Sequence, residues 1–320
     1  MRDIRVAAGQ FEHRDANKAF NLGQIQALTR QAADQGAEIA SFHECSITGY
    51  TFLQTLSRPE LAGLAEPVPD GPSTRRLMQL AKEYHVVILA GLIESAGPKL
   101  LKCYVAVGEQ GFIAKFHKLH PFIHPDISPG EGVQVIDLLG MKAGCLVCYD
   151  NNLPENARAL ALMGAEVIFM PHVTGGTASV MPGRGLIAPA LWANRDRDPE
   201  RLRMEFEGPK GRAWMMKFLP ARAWENGIYG IFSNAVGRDH DTIKPGNAMI
   251  LDPYGDVISE CHELGSGLAV ALLTAEKYDK APARRYLRAR RPELYGKLVE
   301  PHPPGHVAQT QPGWKRGFEK

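Results

Sequence analysis

Along the chain, apolar runs of strand length alternate with stretches in which apolar positions recur every three or four residues. Residues 4–11 read as a core strand. Leu22, Ile25 and Leu28 then mark one face of a helix, and Gly36 suits its stop. Residues 38–42 predict a second strand. The turn Asp70-Gly71-Pro72-Ser73 offers Ser73 as the cap of a helix carrying Leu77, Leu80, Ala81 and Tyr84. Residues 86–93 are apolar without alternation, the pattern of a strand covered on both faces. Residues 101–107 and 112–116 form a hairpin about Glu109-Gln110-Gly111. Strands are predicted at 133–138 and 143–148, a helix from Pro154 to Gly164, and a buried strand at 167–170. Residues 213–226 read as helical, although Pro220 must kink or divide them. Strands at 228–234, 248–251, 257–259 and 268–272 follow, two of them joined through Asp252-Pro253-Tyr254-Gly255-Asp256.

Many strands interleaved with few helices predict mixed sheets covered by helices. Residues 174–212 break the pattern. They are rich in proline and glycine, carry a charged stretch at 194–203, and read as a long surface excursion. After Pro301 the chain is rich in proline, glycine and histidine and is expected to be extended.

Composition narrows the class. Of 320 residues, 44% are hydrophobic and 22% charged, as in ordinary globular chains. A net charge of +2 argues against nucleic acid or an anionic membrane as partner. No run of about 18 apolar residues predicts a membrane span, and the first residues lack the pattern of a secretory signal. Cys45, Cys103, Cys145, Cys148 and Cys261 are odd in number and scattered, which favours free thiols and a cytoplasmic location.

Three polar residues stand out against apolar runs. Cys148 ends an apolar run, and Pro154 starts a helix soon after. A nucleophile at a strand-to-helix turn is exposed at the sheet end, near backbone N–H groups able to receive an oxyanion. A buried structural cysteine is the competing reading. Cys145 and Cys148 also make a C-x-x-C pair, but residues three apart on a strand point to opposite faces, and no second pair exists to complete a zinc site. Lys118 ends the strand before His120 and is either a surface charge or a cation beside a reacting carbonyl. Glu44, after Ile39-Ala40-Ser41-Phe42, is either a satisfied sheet-end carboxylate or a general base. Each of the three sits at the C-terminal end of a predicted strand, where ligands gather in open α/β sheets. Together they supply nucleophile, base and charge stabiliser for acyl transfer. His43, His117, His120, His124 and His172 lack any context specific to histidine-based thiol chemistry.

In this order, Glu44 with Gly49-Tyr50, Lys118 with His120, and Cys148-Tyr149-Asp150 with Pro154-Glu155 and Arg158 resemble the nitrilase superfamily of carbon–nitrogen hydrolases. Ala221-Arg222-Ala223-Trp224-Glu225-Asn226, Asn234, Gly246-Asn247-Ala248, Asp252-Pro253-Tyr254-Gly255 and Arg291-Pro292-Glu293-Leu294-Tyr295 extend the resemblance over about residues 4–299. It implies an α/β fold, a four-layer α-β-β-α sandwich, in one domain over 1–300 with an insertion at 174–212 and a tail at 301–320. It also implies a homodimer built through a helical face, or a larger homo-oligomer, and chemistry with no metal and no cofactor. Glu44 would be the base, Cys148 the nucleophile, and Lys118 with the Tyr149 N–H the oxyanion donors.

Tyr149-Asp150 resembles the amidase and carbamoylase branches rather than true nitrilases. Asn151-Asn152 stand where carbamoylases for D-amino acids place an arginine pair, so the expected substrate is a small neutral or weakly polar carboxamide. Arg184 or Arg195 of the insertion would be needed for an anionic one. An N-carbamoyl hydrolase, a nitrilase and a non-catalytic binding protein of the same fold are the alternatives. Asp126 stands where many members carry a second glutamate, with Glu131 as the other candidate and His124 nearby. Tyr50, Tyr149, Asp126, Asn152, His172 and Thr174 are the expected substrate contacts, and Trp192 is a candidate for shaping the pocket or covering a partner's entrance.

Overall fold

The computed structural model describes residues 1–301, so the predicted tail at 301–320 lies outside the described residues apart from Pro301. The chain runs β1 (Ile4–Gln10), α1 (Lys18–Asp34), β2 (Ile39–Ser41), α2 (Arg58–Leu64), α3 (Pro72–Tyr84), β3 (Val87–Ala96), β4 (Lys99–Gly108), β5 (Gly111–His117) and β6 (Ile127–Ser128). It continues with β7 (Val135–Leu138), β8 (Met141–Cys145), α4 (Pro154–Leu162), β9 (Val167–His172), α5 (Pro189–Ala193), α6 (Pro199–Glu207), α7 (Arg212–Met215) and α8 (Leu219–Asn226). Then come β10 (Tyr229–Asn234), β11 (Val236–Asp239), β12 (Thr242–Pro245), β13 (Met249–Leu251), β14 (Val257–Glu260), β15 (Gly267–Leu273), α9 (Ala275–Asp279) and α10 (Ala283–Arg288).

Two mixed sheets result. The first has the order β15-β1-β2-β3-β4-β5 with β6 beside β4, and the second β14-β13-β10-β9-β8-β7. Strands β1, β2 and β3 run parallel, as do β8, β9 and β10. Side chains from both sheets interdigitate in one core, with Val6, Leu89 and Tyr104 from the first against Ala143, Phe169 and Ile231 from the second. The opposite face of the first sheet packs on α1 and α3 through Ile25, Leu28, Leu77 and Leu80. The opposite face of the second packs on α4 and α8 through Leu160, Leu219 and Ala223. The layers are therefore helix, sheet, sheet, helix, which is why β3 and β9 carry unbroken apolar runs. Buried hydroxyls stitch the two sheets, with Ser233 Oγ donating to the Ser41 carbonyl at 2.9 Å.

Several boundaries differ from the sequence expectation. Ser73 is not a cap. Gly71 precedes the helix, and Ser73 lies inside it with its hydroxyl on Glu66. Pro220 divides 213–226 rather than kinking it, and occupies the first turn of α8. The 174–212 segment is not a bare excursion. It holds α5 and α6, and buries Ile187, Trp192, Leu202 and Phe206 against Val236 and Ile243 of the β11–β12 ribbon.

The turn after β2 needs a glycine across from it. A Cβ on Gly91 of β3 would lie 2.4 Å from the Cys45 backbone nitrogen. Gly91→Ala is therefore expected to cost about 1–3 kcal/mol by overpacking and to reduce activity by shifting Glu44, as read from urea midpoints and turnover. Wild-type values for both would contradict this placement.

Candidate active site

The first sheet supplies two lysines and a glutamate. Beyond β2 the chain turns through His43-Glu44-Cys45, with the Ile47 N–H donating to the Gly91 carbonyl at 2.9 Å. This sets Glu44 down on β3 with its carboxylate buried. Lys118 follows β5 directly, and its Nζ donates to Glu44 Oε1 at 2.7 Å. Lys102, on β4, brings a second ammonium within 3.2 Å of the same oxygen. Its Nζ also donates to the Phe122 carbonyl at 2.7 Å. The Tyr50 ring lies under both cations, 4.2 Å from Lys102 Nζ and 5.9 Å from Lys118 Nζ. Glu44 Oε2 is buried and has no hydrogen-bond partner among the described residues. One carboxylate oxygen is thus saturated by cations while the other stays open to accept a proton.

The second sheet supplies the thiol. Strand β8 ends at Cys145, not at Cys148 as the apolar run predicted. Cys148 begins a tight 3-10 turn, Cys148–Asn152, with a left-handed φ of 52°. A non-glycine residue held there stores on the order of 1–3 kcal/mol, a cost its surroundings must offset. Two side chains do so. Asp150, buried, accepts from the Val147 N–H at 3.2 Å, the Leu119 N–H at 3.1 Å and the His120 N–H at 2.9 Å. It thereby ties the cysteine turn to the segment that follows Lys118. Arg222 of α8 donates to the Asn151 and Asn152 carbonyls at 2.8 and 3.0 Å.

Electrostatics follow from this packing. For Glu44, burial alone would oppose ionisation, but Lys102 and Lys118 outweigh it and hold the carboxyl below its ordinary range. For Lys118, burial works against the charge, but Cys148, Glu44 and Asp150 prevail and hold the ammonium above its ordinary range. For Lys102 burial prevails, and its affinity for the proton drops despite Glu44. Burial pushes the Cys148 thiol up to about 11, partly offset by Lys118 and by a hydrogen bond from the Val173 backbone. The resting thiol is therefore protonated near neutrality and needs a base.

Cys148 opens into a cavity of about 420 Å³. Tyr50, Tyr149, Asn152, His172 and Thr174, the residues expected from the sequence to contact substrate, line it. Asp126 does not. It is half-buried and pairs with Arg58 at 3.7 Å. Glu131 is exposed and pairs with Lys99 at 2.7 Å, so neither carboxylate stands by Lys118. His124 is a structural residue, bonded to the Leu56 carbonyl at 3.0 Å. Among the insertion's candidates, Arg184 lines the cavity, whereas Arg195 and Trp192 stack on each other away from it. Sequence reasoning missed Lys102. Its signal was a lysine inside the apolar run Leu100-Leu101-Lys102-Cys103, where a charge is costly unless paired.

Among the described residues, two groups have metal-type side chains, Glu94 with Cys103 and His117, and His13 with Asp15 and Asp239. In the first, Glu94 already pairs with Lys115 and His117. In the second, Asp239 is held by His13 at 2.9 Å and by the Thr51 N–H at 2.8 Å. Internal hydrogen bonding accounts for both.

Comparison with known proteins places this geometry. Residues 5–283 match the family model described as carbon-nitrogen hydrolase. The chain belongs to the carbon-nitrogen hydrolase family. A nitrilase from Pyrococcus abyssi is 31% identical, covering 84% of this chain and 88% of the relative. An (R)-stereoselective amidase from Pseudomonas sp. is 28% identical, over 94% of this chain and 96% of the relative. An amidase from Nesterenkonia sp. AN1, solved as a double mutant with acrylamide, superposes with a TM-score of 0.69 at 22% identity, over 92% of this chain and 97% of that one. This carbon-nitrogen hydrolase thus has the sandwich of that structure. No helix of the described residues is long and apolar enough to cross a membrane.

Two outcomes are expected from the electrostatics. Lys102→Met removes one of the cations holding Glu44 ionised. The acid limb of kcat/KM should then move to higher pH, with turnover lower by on the order of tenfold to a hundredfold. An unmoved acid limb would show that Lys102 has no hold on the carboxylate. His172, buried and neutral, has its pKa lowered to about 3 by desolvation. Below its ordinary value of 6.5 the unfolded chain takes up a proton that the folded chain refuses. Stability is thus complete above that pH and declines as acid is added toward 3. His172→Gln should flatten the decline in urea midpoint between about pH 7 and about pH 5, and an equally steep decline would refute the assignment.

Proposed function

We propose that this protein hydrolyses a small carboxamide through a thioester on Cys148, with Glu44 as base and Lys118 as oxyanion donor. The observation that carries the reading is the buried, unpartnered Glu44 Oε2 at the centre of a site that also holds two ammoniums and a thiol. Glu44 takes the Cys148 proton as sulfur bonds to the substrate carbonyl carbon. Lys118 and the Tyr149 backbone N–H receive the oxyanion. The carbon–nitrogen bond then breaks, and Glu44 passes the proton to the departing nitrogen, which leaves as ammonia or an amine. Glu44 next deprotonates water, which attacks the thioester. The carbon–sulfur bond breaks, and the thiol regains its proton.

These steps draw only on side chains and backbone of this chain. The Nesterenkonia amidase, in another solved form, carries the acetamide moiety of fluoroacetamide covalently at its active-site cysteine, an adduct in which a cysteine acts as nucleophile, the role this reading gives Cys148. An N-carbamoyl substrate is the second reading, favoured by a tomato N-carbamoylputrescine amidase that is 27% identical over 92% of this chain. Carbon dioxide released along with ammonia would select it. A homo-oligomer fits the same reading, since Leu162, Met163 and Trp224 are exposed on α4 and α8 and just beyond α4.

Cys148→Ala should abolish ammonia release from every amide tested, and Glu44→Gln should lower it by at least about 10³-fold. Intact-mass measurement of wild type should trap an acyl adduct that Cys148→Ala lacks. Undiminished turnover in Cys148→Ala would end the proposal.

A further inference from the structure

The charged residues lining the cavity are Arg184, Asp241 and Lys244. Lys244, on β12, is only 1% exposed. Among the described residues its one hydrogen bond is a long contact, 3.5 Å, to the Gly175 carbonyl. The nearest carboxylate, Asp239, is 3.7 Å away and already committed to His13 and Thr51. The ammonium is thus buried with one long hydrogen bond and one shared carboxylate, and keeps N–H capacity for a further acceptor. Arg184, from the insertion, lies 3.7 Å over the Trp214 ring, and its Nε is buried with no hydrogen-bond partner. Asp241 is exposed, so solvent screens the charge it offers Lys244. Burial lowers the proton affinity of both Lys244 and Arg184, against the pull of Asp239 in the case of Lys244 and with no opposing partner in the case of Arg184.

We propose that Lys244 and Arg184 form an anion-binding subsite in the cavity that Cys148 opens into, and that the substrate is a small amide carrying a carboxylate away from the scissile bond. The inference rests on the amidase reading of Cys148 and narrows its substrate class. It replaces the neutral or weakly polar carboxamide expected from Asn151-Asn152. The arginine pair missing near the nucleophile is answered by cations from the insertion and from the ribbon. A planar carboxylate suits both donors. The guanidinium, fixed by stacking on Trp214, offers a directional pair of N–H groups, and the Lys244 ammonium adds a buried point charge. The apolar wall, with Ile123, Val173, Val180 and Leu186, fits the aliphatic spacer between carboxylate and amide.

The test compares kcat/KM for matched anionic and neutral amides. Glutaramate against pentanamide places the carboxylate on the acyl side, and N-carbamoyl-β-alanine against N-ethylurea places it on the nitrogen side. Wild type is expected to prefer the anionic member of at least one pair by about a hundredfold, and the pair that responds assigns the side. Lys244→Met should reduce that ratio by at least about tenfold, and Lys244→Arg should retain most of it. Arg184→Leu, on the half-buried insertion, serves as an independent variant if Lys244→Met fails to fold. A wild type that turns over neutral members as well as anionic ones, or a ratio unmoved in Arg184→Leu and Lys244→Met, would overturn the subsite. Failure to hydrolyse any member, with no acyl adduct on Cys148, would instead be the failure of the amidase reading.

Discussion

The site depends on one buried carboxylate facing two buried ammoniums. Glu44 Oε1 receives Lys118 at 2.7 Å and Lys102 at 3.2 Å, and all three groups are closed off from solvent. Removing Glu44 would strand two buried ammoniums without a counter-charge, a loss that typically costs roughly 3–5 kcal/mol for a buried pair. The same cluster leaves Glu44 Oε2 open, so the charges that fix the glutamate also leave it one oxygen able to accept a proton. A cluster of two cations and one anion suits a site in which a second negative charge, thiolate or oxyanion, must appear during turnover.

The sandwich exists to bring these groups together from distant parts of the chain. Glu44, Lys102 and Lys118 come from the turn after β2, from β4 and from the end of β5, all in one sheet. Cys148 comes from the other, held in a left-handed turn by Asp150 and Arg222. Asp150 matters most for alignment, because its carboxylate binds backbone on both sides of the gap between the lysine segment and the cysteine turn. The insertion lines the cavity with Arg184, which lies over Trp214, and has its own small core around Trp192 and Phe206.

Much of this was legible in the sequence, because strands covered on both faces write themselves as unbroken apolar runs, as in β3 and β9. The glutamate, lysine and cysteine stood out as polar interruptions at the ends of such runs. Lys102 interrupts such a run in its middle, which signals a paired charge, but the sequence does not say that the partner is a carboxylate from beyond another strand. The β11–β12 ribbon escaped notice because Val236-Gly237-Arg238-Asp239 has no alternation of apolar and polar residues, and with it went Lys244. Asp126 was selected by its spacing from Lys118, but the direction of the loop, not its length, decides where a carboxylate ends up. The left-handed φ at Cys148 moved the nucleophile from the strand into a turn, which no pattern of residue types records.

The rate of Cys148 alkylation by iodoacetamide as a function of pH, located by peptide mass, tests the central claim most directly. With Glu44 ionised and poised to take the thiol proton, the wild-type rate should stay nearly level from about pH 6 to about pH 9. In Glu44→Gln it should be slower and climb about tenfold per pH unit, as for a thiol that must find hydroxide. A wild-type rate that climbs in the same way as the variant would contradict the account, because the thiol would then be ionising without the carboxylate.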